Sequence, residues 1–400
     1  MTTNAATGVS ASASGNIGRL AIAQALGGAN ANVVYATGAI VGSQLAPDPS
    51  LVTFPISLFV VGMASGTLPT GYISRRHGRR AAFLIGATLG VLAGLIGLLA
   101  VLRGSFALFC VATFVAGVYS AVVQSFRFAA TDGAPPLQRA RAISWVMVGG
   151  LVGGVIGPQM IQLTMNLWQP YLFAASFIGQ SAFALASMGV LAGVDLRKPA
   201  AAELASGRPL LEIVATPKFA IAALCGVVSY ALMNLVMTSA PLAMRLCGLS
   251  LSDSNLGIQW HVLAMFGPSF FTGGLIARFG AGRIVGVGLL LTSAAAVVDL
   301  SGQTVWHFWT GLVLLGLGWN FGFVGASAMV VETHRPEERN KVQSFNDFVI
   351  FGTMALGSFS SGKLLTSFGW DAVNWVAFPP ISIALAALLG VGLLRARVAF

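Results

Sequence analysis

Gly71-Tyr72-Ile73-Ser74-Arg75-Arg76-His77-Gly78-Arg79-Arg80 and, 202 positions later, Gly273-Gly274-Leu275-Ile276-Ala277-Arg278-Phe279-Gly280 are each a basic, glycine-punctuated break between two long apolar runs. The same offset pairs Asn32 with Asn234, Met63 with Met265, Thr67 with Ser269 and Thr70 with Thr272, so the likeness reaches back through both preceding runs. A second pair of stretches, Asp132 to Arg141 and Glu332 to Lys341, matches at an offset of 200: Pro136 with Pro336, Arg139 with Arg339, Arg141 with Lys341. Self-similarity at one fixed spacing marks a duplicated architecture. The chain therefore divides into two related halves.

Each half is made for lipid. Of the 400 residues 56% are hydrophobic and 8% charged, against about a quarter charged in soluble domains. A helix needs about 20 mostly apolar residues to cross a hydrocarbon core of roughly 30 Å, because its backbone polar groups must bond within it. Twelve runs qualify: 18-43, 51-73, 81-102, 105-130, 142-165, 170-194, 217-244, 255-277, 283-300, 305-331, 344-364 and 371-394. No period-two alternation of a β-barrel is present. The expected fold is all-α and integral to the membrane, two six-helix bundles related by a pseudo-two-fold axis. The expected divisions are a disordered tail over 1–16, a bundle over 17–194, a polar linker over 195–216 and a second bundle over 217–400. The tail has no basic start or apolar core, unlike a signal peptide.

Charge orients the bundle. With the N-terminus inside, Arg19, the arginines at 75, 76, 79 and 80, and Arg127, Arg139 and Arg141 fall on the inner side. So do Arg197, Lys198, Arg208, Lys218, Arg278, Arg283, Arg335, Arg339, Lys341, Arg395 and Arg397, leaving Arg103, Arg245 and Lys363 outside. Nineteen of 22 basic residues on one side satisfy the positive-inside rule. Both termini are then cytoplasmic, in a bacterial inner membrane, and the net charge of +10 reflects topology rather than nucleic-acid binding.

Two six-span halves, a polar central link and a basic loop after the second span of each half resemble the major facilitator superfamily. Its loop pattern G-x-x-x-D-R-x-G-R-R is met by Gly71, Arg76, Gly78, Arg79 and Arg80, with Arg75 where the pattern has Asp. The resemblance implies two bundles rocking about a midplane site, with this loop as an inner latch. Asp347, in the eleventh span, is the candidate partner of Arg75, and Asp132 of Arg76 or Arg79; alternatively Asp347 simply favours its helix N-terminus. In span five, Gly149-Gly150 and Gly153-Gly154-Val155-Ile156-Gly157-Pro158 partly match a motif of proton-coupled exporters, but small residues at this spacing also give plain close packing.

Polar residues in the spans name the candidate cavity, which in the resembled family is lined by spans one, four, seven and ten. Gln24, Asn32 and Tyr35 lie on span one, Tyr119, Gln124 and Arg127 on span four, and Tyr230 and Asn234 on span seven. Gln259 and Trp260 lie on span eight, Trp319 and Asn320 on span ten. Amides and aromatic faces suit a planar, hydrogen-bonding solute, neutral or anionic if Arg127 reaches it. The bland alternative is that these groups bond one another across helices. His261 is the proton-coupling candidate, its ordinary pKa lying near 6.5; the competing reading is a neutral histidine bonded to a neighbouring helix. Ile258 to Gly273 resembles bacterial permeases of this superfamily, some regarded as riboflavin transporters, and a flavin would fit the polar inventory.

The expected function is therefore a secondary or facilitative transporter of a small organic solute. A proton-coupled multidrug exporter is the alternative, opposed by the lack of an acidic residue deep in the first six spans; Asp299 falls at the outer end of span nine. The sequence holds neither H-E-x-x-H nor a P-loop, so no enzyme, metal or cofactor is expected. Cys110, Cys225 and Cys247 read as packing residues. The expected partners are the solute and the bilayer, with protons as a candidate coupling ion, no nucleic acid and no obligate oligomer.

Overall fold

A computed structural model describes residues 11–48, 51–196 and 207–398. Fourteen helices account for the spans. They are α1 (Ala11–Leu45), α2 (Phe54–His77), α3 (Arg79–Arg103), α4 (Phe106–Ala129), α5 (Arg139–Thr164), α6 (Ala174–Ala192) and the short α7 (Leu210–Val214). The second half holds α8 (Pro217–Leu246), α9 (Leu251–Phe266), α10 (Ser269–Phe279), α11 (Ala281–Ser301), α12 (Val305–Val331), α13 (Arg339–Trp375) and α14 (Phe378–Val398). No strand occurs among the described residues.

Among the described residues nine stretches are long and apolar enough to cross a membrane alone, and α9 with α10 make a tenth, bent by 41°. The bend falls at Gly267-Pro268, where the proline supplies no backbone N–H. The remaining two spans are α1 and the first part of α13, whose asparagines, glutamines and serines lower their hydropathy. Helix starts follow the side chains available: Ser105 accepts from the Leu108 N–H, Thr216 from that of Phe219, and Ser250 with Asp253 form a reciprocal capping box.

The structure corrects several boundaries. Helix α1 begins at Ala11, inside the stretch expected as a tail; residues 1–10 lie outside the described residues, as do 197–206 of the expected linker. Span six starts at Ala174 rather than 170, after a turn through Phe173 at φ 66°. Span eleven runs on to Phe368, where Gly369 at φ 81° separates it from span twelve.

The duplication is visible in the backbone. Gly78 and Gly280, equivalent at the 202-residue offset, turn at φ 89°, ψ 158° and φ 86°, ψ 147°, conformations open to glycine. At the other offset, Pro136–Gln138 and Pro336–Glu338 are both single 3₁₀ turns leading into α5 and α13. One apolar core lies within α1 to α6 around Leu20, Phe83, Phe126 and Leu191, another within α8 to α14 around Cys225, Leu289 and Ile381. A third crosses between them through Phe59, Met147, Tyr230, Phe323 and Phe351. The end of the bundle carrying Arg75 to Arg80 and Arg335 to Lys341 is called the basic end below.

Candidate functional site: a central aromatic cluster above an inter-half latch

The two halves meet around Arg127. It is fully buried on α4, at 0% exposure. Its Nη2 lies 2.5 Å from Asp347 Oδ1 on α13, and its Nε donates to Ser327 Oγ on α12 at 3.1 Å. Nη1 bonds the Gln124 carbonyl one turn back, and the guanidinium carbon sits 4.6 Å from the Phe323 ring centroid. Asn346 Nδ2 also donates to Asp347 Oδ1, at 3.1 Å. A cation removed from water needs such compensation on every side, and here the counter-charge comes from the opposite half.

Toward the opposite end of the bundle from this pair lies a cluster of rings. Tyr230 on α8 meets Trp319, Phe323 and Phe351 edge-on at centroid distances of 5.7, 5.0 and 5.3 Å, while Trp319 stacks on Phe323 at 5.1 Å. Phe266, at the α9 bend, closes on Trp319 at 5.4 Å. Gln124 Nε2 donates to the Tyr230 hydroxyl at 3.4 Å, joining the cluster to Arg127. Three buried polar atoms in these residues have no partner among the described residues: Gln124 Oε1, Trp319 Nε1 and Asn346 Oδ1. Such atoms are costly to bury unless something else bonds them.

Nearer the basic end the halves are latched. Arg79 Nε lies 2.7 Å from Asp132 Oδ2, and Asp132 reaches across to Arg339 at 3.4 Å. Arg79 Nη2 donates to Gln343 Oε1 at 2.7 Å; Gln343 Nε2 donates to His334 Nε2 at 3.0 Å, and His334 Nδ1 donates to the Arg335 carbonyl at 3.1 Å. That relay requires a neutral imidazole, and burial with Arg79 nearby brings the His334 pKa from 6.5 down to about 4. A polar cavity of about 10 Å³, room for one water, separates Arg79 from Asp347. Beyond it, Arg208 holds the buried Glu338 with both Nε and Nη2 at 2.9 Å, and this pairing brings the Glu338 pKa down to about 2.

Two glycines permit this closure. A Cβ on Gly71 would fall 1.9 Å from Ser344 Oγ on α13, and one on Gly273 would fall 2.6 Å from Arg141 Cα on α5. Helix α5 then runs along α9 through Gly150 against Phe266 and Gly154 against Val262. The same faces continue to Pro158 and Gln162 on α5, and to Gln259 and Asn255 on α9, which are exposed. The halves thus close at the basic end and part toward the other. The second glycine row of α5, at 149, 153 and 157, packs on α1, which is the close-packing alternative for this motif.

Measured against the sequence expectations, the structure gathers Gln124, Arg127, Tyr230 and Trp319 at the centre. Tyr35 lies edge-on to Phe59 at 5.2 Å, and Asn234 is buried one turn beyond Tyr230 on α8. Gln24 packs beside Gly149, and Asn32 donates to the Gly153 carbonyl at 3.1 Å, so both serve the α1–α5 contact. Tyr119 is enclosed within the first half against Gly90. Asn320 donates to the Met265 carbonyl and Ser269 Oγ and accepts from Thr272, which fastens the α9–α10 bend. Gln259 and Trp260 are exposed. His261, at 0% exposure, donates from Nδ1 to the Leu312 carbonyl at 2.7 Å, the histidine bonded to a neighbouring helix of the competing reading.

Two expectations are corrected, and the open choice of partner for Asp132 falls to Arg79. Asp347 pairs with Arg127, not Arg75, because it lies two turns inside α13 whereas Arg75 is exposed at the end of α2. Arg76 turns to the Tyr72 hydroxyl at 2.9 Å, leaving Asp132 to Arg79; Arg80 is exposed. Carboxylates are also more buried than the spans suggested: Asp299, near the end of α11, is buried against Gly311, and both its oxygens lack a partner among the described residues. The residues missed were Gln343, Ser344, Asn346, Ser327 and the half-buried His334.

The sequence profile of the Major Facilitator Superfamily matches residues 20–268 and again residues 222–398. The chain belongs to the major facilitator superfamily. It is thus a membrane transporter and not an enzyme. It is 49% identical to the riboflavin transporter RfnT of Brucella anthropi over 94% of this chain and 95% of that protein. It is 29% identical to YdeG of Bacillus subtilis, an uncharacterized MFS-type transporter, over 89% and 87% of the two chains. The solved proton:xylose symporter XylE superposes with a TM-score of 0.78 at 14% identity, covering 95% of each chain. The human organic anion transporter MFSD10 superposes with a TM-score of 0.75 at 15% identity, over 94% and 99%. Multidrug efflux is not favoured by these relatives.

Proposed function

We propose that the chain takes riboflavin, or a flavin close to it, into the cell by alternating access. The observation that carries this is the 49% identity to a riboflavin transporter along almost the whole of both chains, supported by the central cluster. An isoalloxazine ring is flat, aromatic and edged with donors and acceptors. Tyr230, Trp319 and Phe323 offer it aromatic faces, Trp319 Nε1 a donor, and Gln124 Oε1 and Asn346 Oδ1 acceptors. In the described state these rings close on one another within the second half, so a flavin entering between the halves must break the Gln124–Tyr230 bond that joins them to the first.

The basic end faces the cytoplasm and both termini lie there, as the positive-inside rule asks. The described state is then shut toward the cytoplasm by the Arg79–Gln343–His334 relay and the Arg127–Asp347 pair. The two six-helix halves rock about the central cluster as a monomer in a bacterial inner membrane. No proton step is assigned to His261, whose ring is bonded inside the second half.

Expression in a riboflavin auxotroph tests this. Growth on low external riboflavin and uptake of labelled riboflavin competed by unlabelled flavin are expected. Growth equal to that of cells carrying an empty vector would contradict it.

A further inference from the structure

Outside the central site, the basic end carries a lateral groove of about 310 Å³ between α5 of the first half and α10 of the second. Its lining includes Arg141, Ser144, Trp145, Phe270, Gly273 and Gly274. Arg141 is exposed and pairs with no carboxylate among the described residues. Ser144 is buried at 2% exposure, yet its hydroxyl has no partner among the described residues. Trp145 and Phe270 meet edge-on at 6.0 Å across the two halves, and both are about half exposed. A Cβ on Gly274 would meet nothing within 4 Å, so the groove is open there, while Gly273 lies tight on Arg141 at its floor.

The groove therefore combines a cation, an unpartnered hydroxyl and an apolar aromatic wall. Arg141 lies in the first turn of α5 and Phe270 within three turns of the end of α10, so the groove runs from headgroup depth into the acyl region. We infer that it seats one anionic phospholipid, the phosphate at Arg141 and Ser144 and an acyl chain along Trp145 and Phe270. Such a lipid touches both halves where they close. A lipid supplies both chemistries the groove presents, charge and hydrocarbon, where a free anion supplies one.

Native mass spectrometry of the full-length chain ejected from nanodiscs of phosphatidylcholine with phosphatidylglycerol tests the site. Wild type is expected to retain phosphatidylglycerol in preference to phosphatidylcholine. Arg141→Gln is expected to weaken retention roughly tenfold, the loss of one charge-assisted hydrogen bond, while Arg283→Gln, at another exposed arginine of this end, leaves it unchanged. Ser144→Ala and Trp145→Leu read the same seat if Arg141→Gln does not fold. Equal retention by all these variants, equal retention of phosphatidylcholine, or displacement of the lipid by excess inorganic phosphate would overturn the inference.

Discussion

Arg127 and Ser327 occupy equivalent positions of the two repeats, 200 residues apart, and bond each other directly, Nε to Oγ at 3.1 Å. The duplicated chain thus meets itself across its pseudo-two-fold axis, but with a charge on one side only. Asp347, which neutralises Arg127, has Met147 as its equivalent at the same offset. The centre is consequently asymmetric, with the ion pair between α4 and α13 and no counterpart between α5 and α12.

Removing one member of this pair leaves the other buried without compensation. Asp347→Asn is expected to destabilise the protein by roughly 3–5 kcal/mol and to abolish transport. Combining Arg127→Gln with Asp347→Asn should restore much of the stability but not transport. Thermal unfolding in detergent and flavin uptake check both; a stable, active Asp347→Asn would show that the pair matters neither to the fold nor to the cycle.

The relay through His334 makes closure of the basic end pH-dependent. The folded-state pKa, about 4, lies below the ordinary 6.5. Between these values the unfolded chain binds a proton that the folded chain does not. The contribution is therefore complete above about pH 6.5 and is lost as pH falls toward 4. The melting temperature of wild type should fall more steeply across that window than that of His334→Gln; parallel curves would exclude the histidine.

How much of this was legible in the sequence depended on range. The duplication, the spans and the family were readable because hydropathy and the Gly71 and Gly273 loops are local signals. Arg127, Gln124, Tyr230 and Trp319 were readable as polar or aromatic interruptions of apolar runs. Which partner each one takes was not, since it depends on helix rotation across the inter-half seam. Asp347 shows this: the family latch suggested Arg75, whereas burial brought Arg127. A signal for α13 was nonetheless present, because Asn340, Gln343, Ser344, Asn346 and Asp347 crowd the first turns of a span with low hydropathy. Asn320 and His261 were read as site candidates because a polar side chain in a span looks the same whether it bonds a solute or a broken helix.

The glycines at the seam set the conformational balance. Gly71→Val places atoms where Ser344 lies, and Gly273→Val where the Arg141 backbone lies. Each is expected to disfavour the closed basic end by on the order of 1–3 kcal/mol. Cross-linking between cysteines placed at Ser74 and Asn340, which line one small cavity between the halves at this end, should fall accordingly, and unchanged cross-linking would refute the closure described.

Asn320→Ala strips the Met265 carbonyl and the Ser269 hydroxyl of the amide that donates to them at the α9 bend. It is expected to lower stability by about 1–3 kcal/mol while leaving the preference among flavins unaltered. A changed preference would place Asn320 in the substrate site instead.

Uptake of labelled riboflavin into proteoliposomes holding only this protein tests the central claim most directly. Saturable uptake is expected, with Trp319→Ala and Tyr230→Ala each raising the half-saturating concentration several-fold or more, in line with about 0.5–1.5 kcal/mol per lost aromatic contact beyond area burial. Flavin entry no faster than in protein-free liposomes, or uptake indifferent to both substitutions, would contradict the account.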